Sequence, residues 1–124
     1  MSAPPIEWSP ERIVEAQLSA YNARDIDAFM AFWHPDCSYY AFPDQLLAKG
    51  AAAIRQRHIE RFAEPDLNGR LLSRMAVGNI VVDRESVTRT FPSGRGSVEV
   101  IAIYEVDNGL ITKAWFKQGQ PVVA

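Results

Sequence analysis

The stretch from Gln17 to Asp44, QLSAYNARDIDAFMAFWHPDCSYYAFPD, constrains this chain more than any other. Its apolar positions first recur at helical spacing, then pause at Ala23-Arg24-Asp25, recur briefly again, and give way to the aromatic run Tyr39, Tyr40, Phe42. A long helix, a tight turn, a short helix and a strand must therefore follow one another within 28 residues. Downstream lies one more helical stretch and then only period-two patterns. Helices gathered at the start and strands at the end predict an α+β fold in which helices cover one face of a mostly antiparallel sheet.

The element boundaries follow from caps and breakers. Ser9, Pro10 and Glu11 form a helix start, and the first helix is predicted to reach about Ala23. Residues 1–8 read as a loose arm. Asp25 caps a second helix through Phe29, Phe32 and Trp33, which Pro35 ends. Cys37 to Phe42 is predicted as a strand, with breaks at Pro43-Asp44 and Lys49-Gly50. A third helix spans Ala51 to Phe62 before Glu64-Pro65. Leu71 to Val82 reads as one long strand bent near Gly78-Asn79, and Asp83-Arg84-Glu85 as a turn. Ser86 to Phe91 is a strand, and Pro92 to Gly96 a loop. Ser97–Val106 and Leu110–Lys117 form a last hairpin around a three-residue loop, with Gly109 left-handed.

That loop sets Glu99 opposite Lys117, Val100 opposite Phe116, Ile101 opposite Trp115 and Ala102 opposite Ala114. One hairpin face carries Val98, Val100, Ala102, Tyr104, Ala114 and Phe116, and is predicted to pack under the helices. The other carries Ile101, Ile103 and Trp115. It is too apolar to be left in water, so a second copy is expected to cover it.

Composition removes several classes of function. The 124 residues carry a net charge of −2 and suit a single domain, 1–124. That balance gives no general attraction to nucleic acid or to an anionic membrane. No apolar run is long enough to span a bilayer, and the start MSAPPIEW lacks a signal segment, so a soluble cytoplasmic protein is expected. The single cysteine, Cys37, is read as an inert packing thiol. The sequence has no glycine-rich phosphate loop, and its two histidines, His34 and His58, lack metal-ligand spacing. No cofactor and no metal are expected.

The order helix, helix, strand, helix and then strands resembles the nuclear transport factor 2-like fold, a cone-shaped domain whose curved sheet wraps helices around a pocket. The resemblance runs from about Ser9 to Gln118. It is most specific at Tyr21-Asn22-Ala23-Arg24-Asp25, the strand after His34-Pro35-Asp36, the Lys49-Gly50 start of helix three, and Asn108-Gly109-Leu110-Ile111. Within that fold the chain is most similar to the SnoaL-like and steroid Δ-isomerase-like branch. The fold hosts isomerases, cyclases, dehydratases, hydrolases and non-enzymes, so it implies a pocket rather than a reaction.

The isomerase residues do not carry over. Counted from the Asp25 turn, their oxyanion tyrosine falls on Gln17, their basic aspartate on Ala41 and their protonated aspartate on Ala102. A pocket tyrosine falls on His58. The resemblance thus implies a polar group of Gln17, Tyr21 and His58 in an apolar cavity, with His58 as the candidate acid or base. Tyr40, Phe42, Val100 and Phe116 are expected to wall that cavity. Arg89 could hold an anionic ligand there, pair with a buried acid, or sit at the rim. His34 is read as a helix-end residue, and Arg55, Arg57 and Arg61 as a solvated face. The expected ligand is a small apolar or carbonyl-bearing molecule. The alternative is a non-enzymatic homodimeric association or carrier module.

Overall fold

A computed structural model describes residues 8–123. Residues 1–7 of the expected arm lie outside the described residues, but Trp8 packs against the core and stacks under Arg12, 4.0 Å from its ring centre. Three helices follow one another with strands between and after them: α1 (Pro10–Ala23), α2 (Ile26–Met30), β1 (Trp33–Ala41), β2 (Gln45–Lys49), α3 (Ala51–Phe62), β3 (Asn68–Val77), β4 (Ile80–Phe91), β5 (Gly94–Asp107), β6 (Leu110–Gln118) and β7 (Val122–Val123). The sheet runs β2-β1-β6-β5-β4-β3, with β7 beside β5. Among the described residues, only β1 and β6 pair in parallel; every other neighbour is antiparallel.

The motif around residue 22 earns its place by closing three gaps at once. Arg24 ends α1 in the left-handed region at φ 55°, and Asp25 caps α2 by accepting from the Ala28 amide. The Asn22 amide group pairs with both backbone groups of Gly69, donating at 2.9 Å and accepting at 2.7 Å. The Arg24 guanidinium donates to the Pro65 and Leu67 carbonyls. The end of α1 is thereby tied to the outermost strand, β3. A Cβ at Gly69 would meet Glu85 Oε1 at 3.1 Å and Leu18 Cδ1 at 3.2 Å, so the close approach favours glycine there.

Several sequence expectations need correction. The second helix stops at Met30, and Trp33 and His34 begin β1. His34 is therefore not at a helix end; its Nδ1 accepts from the Asp36 amide. Gln45–Lys49 is a strand, because β1 offers an open edge to it. The long bent strand is two strands, and Gly78, at φ 59°, turns between them. Asp83-Arg84-Glu85 is not a turn but the middle of β4. The loop after Phe91 shrinks to Pro92-Ser93, and Gly94 to Gly96 join β5.

The last hairpin has a two-residue turn, Asn108 at φ 50° and Gly109 at φ 79°, instead of a three-residue one. A bulge after Glu105 then sets Ile101 opposite Lys117, Ala102 opposite Phe116 and Ile103 opposite Trp115. The register differs by two positions from the expected pairing. Since side chains alternate with period two, the assignment of residues to faces is unchanged. Val98, Val100, Ala102, Tyr104 and Ala114 are buried beneath the helices, while Ile101 remains exposed.

Candidate functional site

Between α1, α3 and the inner face of the sheet lies a cavity of about 310 Å³, at the small end of ligand pockets, which run roughly 300–1,000 Å³. Its interior is largely aromatic. The His58 ring sits among Tyr21, Phe29, Tyr39 and Phe62, with ring centres 4.6 to 6.2 Å away. Tyr39 stacks on Phe116 at 4.5 Å. The exposed lining residues Phe42, Leu47, Lys117 and Gln118 frame the opening.

Of the residues named from sequence, Gln17, Tyr21, His58, Phe42, Arg89, Val100 and Phe116 all line this cavity. Tyr40 does not. The β1 backbone presents Tyr39 and Ala41 inward, so Tyr40 points to the opposite face and stacks on Trp115 at 5.8 Å. Phe42 reaches the opening because it lies just past the end of that strand. Ala41 and Ala102, at the isomerase carboxylate positions, also line the cavity and offer no proton acceptor.

His58 is one turn beyond Ile54, whose carbonyl accepts from Nδ1 at 2.8 Å. With Nδ1 protonated, the neutral ring presents a bare Nε2. Burial lowers its pKa to about 4; the charges of Arg61 and Arg57 push the same way, against the Ile54 hydrogen bond. His58 is thus a neutral acceptor at physiological pH rather than a base poised near 7. Tyr21 is pushed up to about 12 by burial and stays a neutral phenol.

The site residue that sequence reasoning missed is Glu85. Read as part of a turn, it stands on the inner face of β4 with Val81, Asp83 and Val87, is 6 % exposed, and lines the cavity. Burial raises its carboxyl to about 7, the Asp83 charge adds to this, and Arg74 partly opposes it. Asp83, two residues away and fully buried, takes the paired role. It receives Arg74 through two hydrogen bonds, Nε to Oδ1 at 2.7 Å and Nη2 to Oδ2 at 2.8 Å, while Arg74 Nη1 reaches Glu15 of α1 at 2.7 Å. Both carboxylates hold the Arg74 guanidinium firmly charged. Charged residues at 83 and 85 hide the strand in the sequence; only the buried face shared by Val81, Asp83, Glu85 and Val87 in the structure reveals it.

Tyr104 lies on β5 one strand over and also lines the cavity; burial, then the charges of Glu85 and Asp83, keep its hydroxyl protonated far above the ordinary range. Arg57 and Arg61, expected in solvent, line the cavity beside Tyr39 and Tyr21. Arg89 donates to Glu64 from Nε and Nη2, at 3.3 and 2.6 Å. Burial would raise Glu64, but these bonds and the Thr90 amide outweigh it and hold the carboxyl low. Cys37 is fully buried and its thiol is pushed up to about 11 by burial, as befits a packing residue.

The comparisons with known proteins agree on architecture. An uncharacterized cystatin-fold protein from Novosphingobium aromaticivorans superposes with a TM-score of 0.81 at 24% identity, covering 88% of this chain and 97% of the other. An LEH-like epoxide hydrolase from M. tuberculosis gives 0.78 at 21%, covering 89% and 82%. An NTF2-like protein of unknown function from Cytophaga hutchinsonii gives 0.76 at 13%, covering 96% and 95%. Further similar structures are named as a candidate ketosteroid isomerase and a candidate polyketide cyclase. No curated protein matches the sequence. The model of the SnoaL-like domain matches residues 14–114, most of the chain. Together with three helices packed on a curved, mostly antiparallel sheet, this match makes the chain a member of the SnoaL-like family.

Proposed function

We propose that this chain binds a small, largely apolar, carbonyl-bearing molecule in the cavity, and that Glu85 moves a proton on it. The observation that carries the reading is a buried carboxyl that lines the cavity and is left unpaired while its neighbour Asp83 takes the arginine. A carboxyl titrating at about 7 is suited to give or take a proton near neutrality. Tyr104, a neutral hydroxyl in the same cavity, is the partner for a developing oxyanion. His58 Nε2 accepts from a ligand hydroxyl rather than serving as the main base. Similar structures are named as an LEH-like epoxide hydrolase, a candidate ketosteroid isomerase and a candidate polyketide cyclase, which supports small-molecule chemistry in this fold without fixing the substrate.

A thermal-shift screen of carbonyl-bearing apolar compounds tests this. Hits are expected on the wild type and should disappear in Ala102→Leu, whose added bulk occupies the cavity. For a hit that is turned over, Glu85→Gln should slow the reaction by about 10²-fold or more while affinity changes little. Undiminished turnover in that variant rules out Glu85, and a screen with no cavity-dependent hit rules out the binding reading.

The outer sheet face supports a second role beside the first. Met75, Val82, Ile103, Trp115, Tyr40 and Leu46 are direct cross-strand partners in one row across β3, β4, β5, β6, β1 and β2. Ile101 lies beside the row. Met75 is 66 % and Leu46 53 % exposed, so the ends of this apolar stripe are open to solvent. We propose that a second copy covers it in a twofold pair. Sedimentation at micromolar concentration should give a dimer, and Ile103→Glu should give a folded monomer. A monomeric wild type removes the proposal.

A further inference from the structure

We infer that the ligand of this cavity is an organic anion, an apolar body ending in a carboxylate, and that Arg57 receives that carboxylate. This deepens the binding reading above and rests on it. The chain as a whole is slightly acidic, yet the cavity wall holds four cations, Arg57, Arg61, Arg89 and Lys117, against a single lining carboxyl, Glu85. The concentration of positive charge is therefore local rather than a product of composition.

The four are not equivalent. Glu64 engages Arg89 at 2.6 Å and Arg61 at 3.8 Å. Lys117 stands at the opening, exposed to water, where screening weakens any charge it offers. Arg57 has no carboxylate partner among the described residues. It is half-buried, its guanidinium carbon lies 5.2 Å from the centre of the Tyr39 ring, and its Nε has no hydrogen-bond partner among them. An arginine fixed over an aromatic ring, partly desolvated and left with donors to spare, is suited to take a carboxylate through two parallel hydrogen bonds.

Glu85 and Tyr104 lie on β4 and β5, across the cavity from α3 and Arg57. A ligand anchored at Arg57 thus directs its uncharged part toward them, past Tyr39 and Phe116. The charged end and the reacting end are separated, and the charge fixes which end enters first.

The test uses 2-naphthoate and its neutral isostere 2-naphthamide, titrated calorimetrically into the full chain at pH 7 and low salt. Naphthoate is expected to bind roughly tenfold or more tightly than the amide, the scale of one charge-assisted hydrogen bond. Arg57→Gln should abolish that preference by weakening naphthoate alone. Arg57→Lys should keep part of it, and Arg70→Gln, on the outside of β3, should keep all of it. Equal binding of the two probes by the wild type overturns the anion inference while leaving the cavity reading intact. A preference that survives in Arg57→Gln overturns the assignment to that residue. Binding of neither probe defeats the cavity reading, and this inference falls with it. Because Arg57→Lys preserves the charge, and the wild-type comparison uses no variant, misfolding of the glutamine variant cannot mask the result.

Discussion

Replacing Arg74 with methionine is expected to destabilise the fold by about 3–5 kcal/mol, the usual loss when a buried ion pair is broken from one side. The reason is the state of what remains. Asp83 is fully buried on β4, and both its oxygens rely on Arg74. Removing the guanidinium strands a carboxylate away from water, and also cuts the link through Glu15 that holds α1 to β3. For a chain of this size the melting temperature should fall by about 10 °C or more. The double variant Arg74→Met, Asp83→Leu should recover much of the loss, because an apolar pair needs no desolvated charge. Chemical denaturation of the three proteins measures both effects. A loss below about 1 kcal/mol in the single variant would show the pair to be solvated, in line with exposed ion pairs.

The second large effect has the opposite sign. Glu85→Gln is expected to stabilise the protein at alkaline pH. The folded-state pKa of Glu85, about 7, lies above the ordinary 4.5. A raised carboxyl contributes its full stability below pH 4.5 and loses it as pH rises through 7. Glutamine mimics the protonated form and does not ionise. The stability gap between variant and wild type should therefore widen from pH 4.5 to 7 and level off above, by roughly 3 kcal/mol at 1.36 kcal/mol per pKa unit, less whatever cavity water returns to the carboxylate. A gap that stays flat across this range would place Glu85 in solvent. His58 governs the acid side by the mirrored rule: lowered from 6.5 to about 4, it contributes stability above pH 6.5 that is lost as pH falls through 4.

The parts of this architecture that were legible in sequence are those fixed locally. Ser9-Pro10, Asp25 and the Ala51–Phe62 periodicity specify helices through caps and spacing alone, and the hairpin faces survive even a register error of two. Gln17, Tyr21 and His58 could be brought together because helical spacing and the family resemblance both point inward. What escaped were features decided by distant partners. Gln45–Lys49 carries a weak strand pattern and becomes one because β1 is there to pair with. Asp83 and Glu85 look like a turn until Arg74 arrives from β3 and the helices close over them. Tyr40 belongs to the apolar row outside, because β1 turns its neighbours Tyr39 and Ala41 toward the cavity, and alternation alone does not say which of the two faces is the inner one.

The parallel pairing of β1 with β6 has a consequence for how the molecule comes into being. Ser38 meets Lys113, so most of the chain lies between two adjacent strands of the cavity wall. Contacts of such separation form late, since the intervening loop must close first. During synthesis from the N-terminus, the aromatic strand Trp33–Ala41 is made long before β6 exists, with only β2 available as a sheet neighbour. The aromatic surface that later encloses the cavity is, for that interval, without the strand that will flank it on its β6 side.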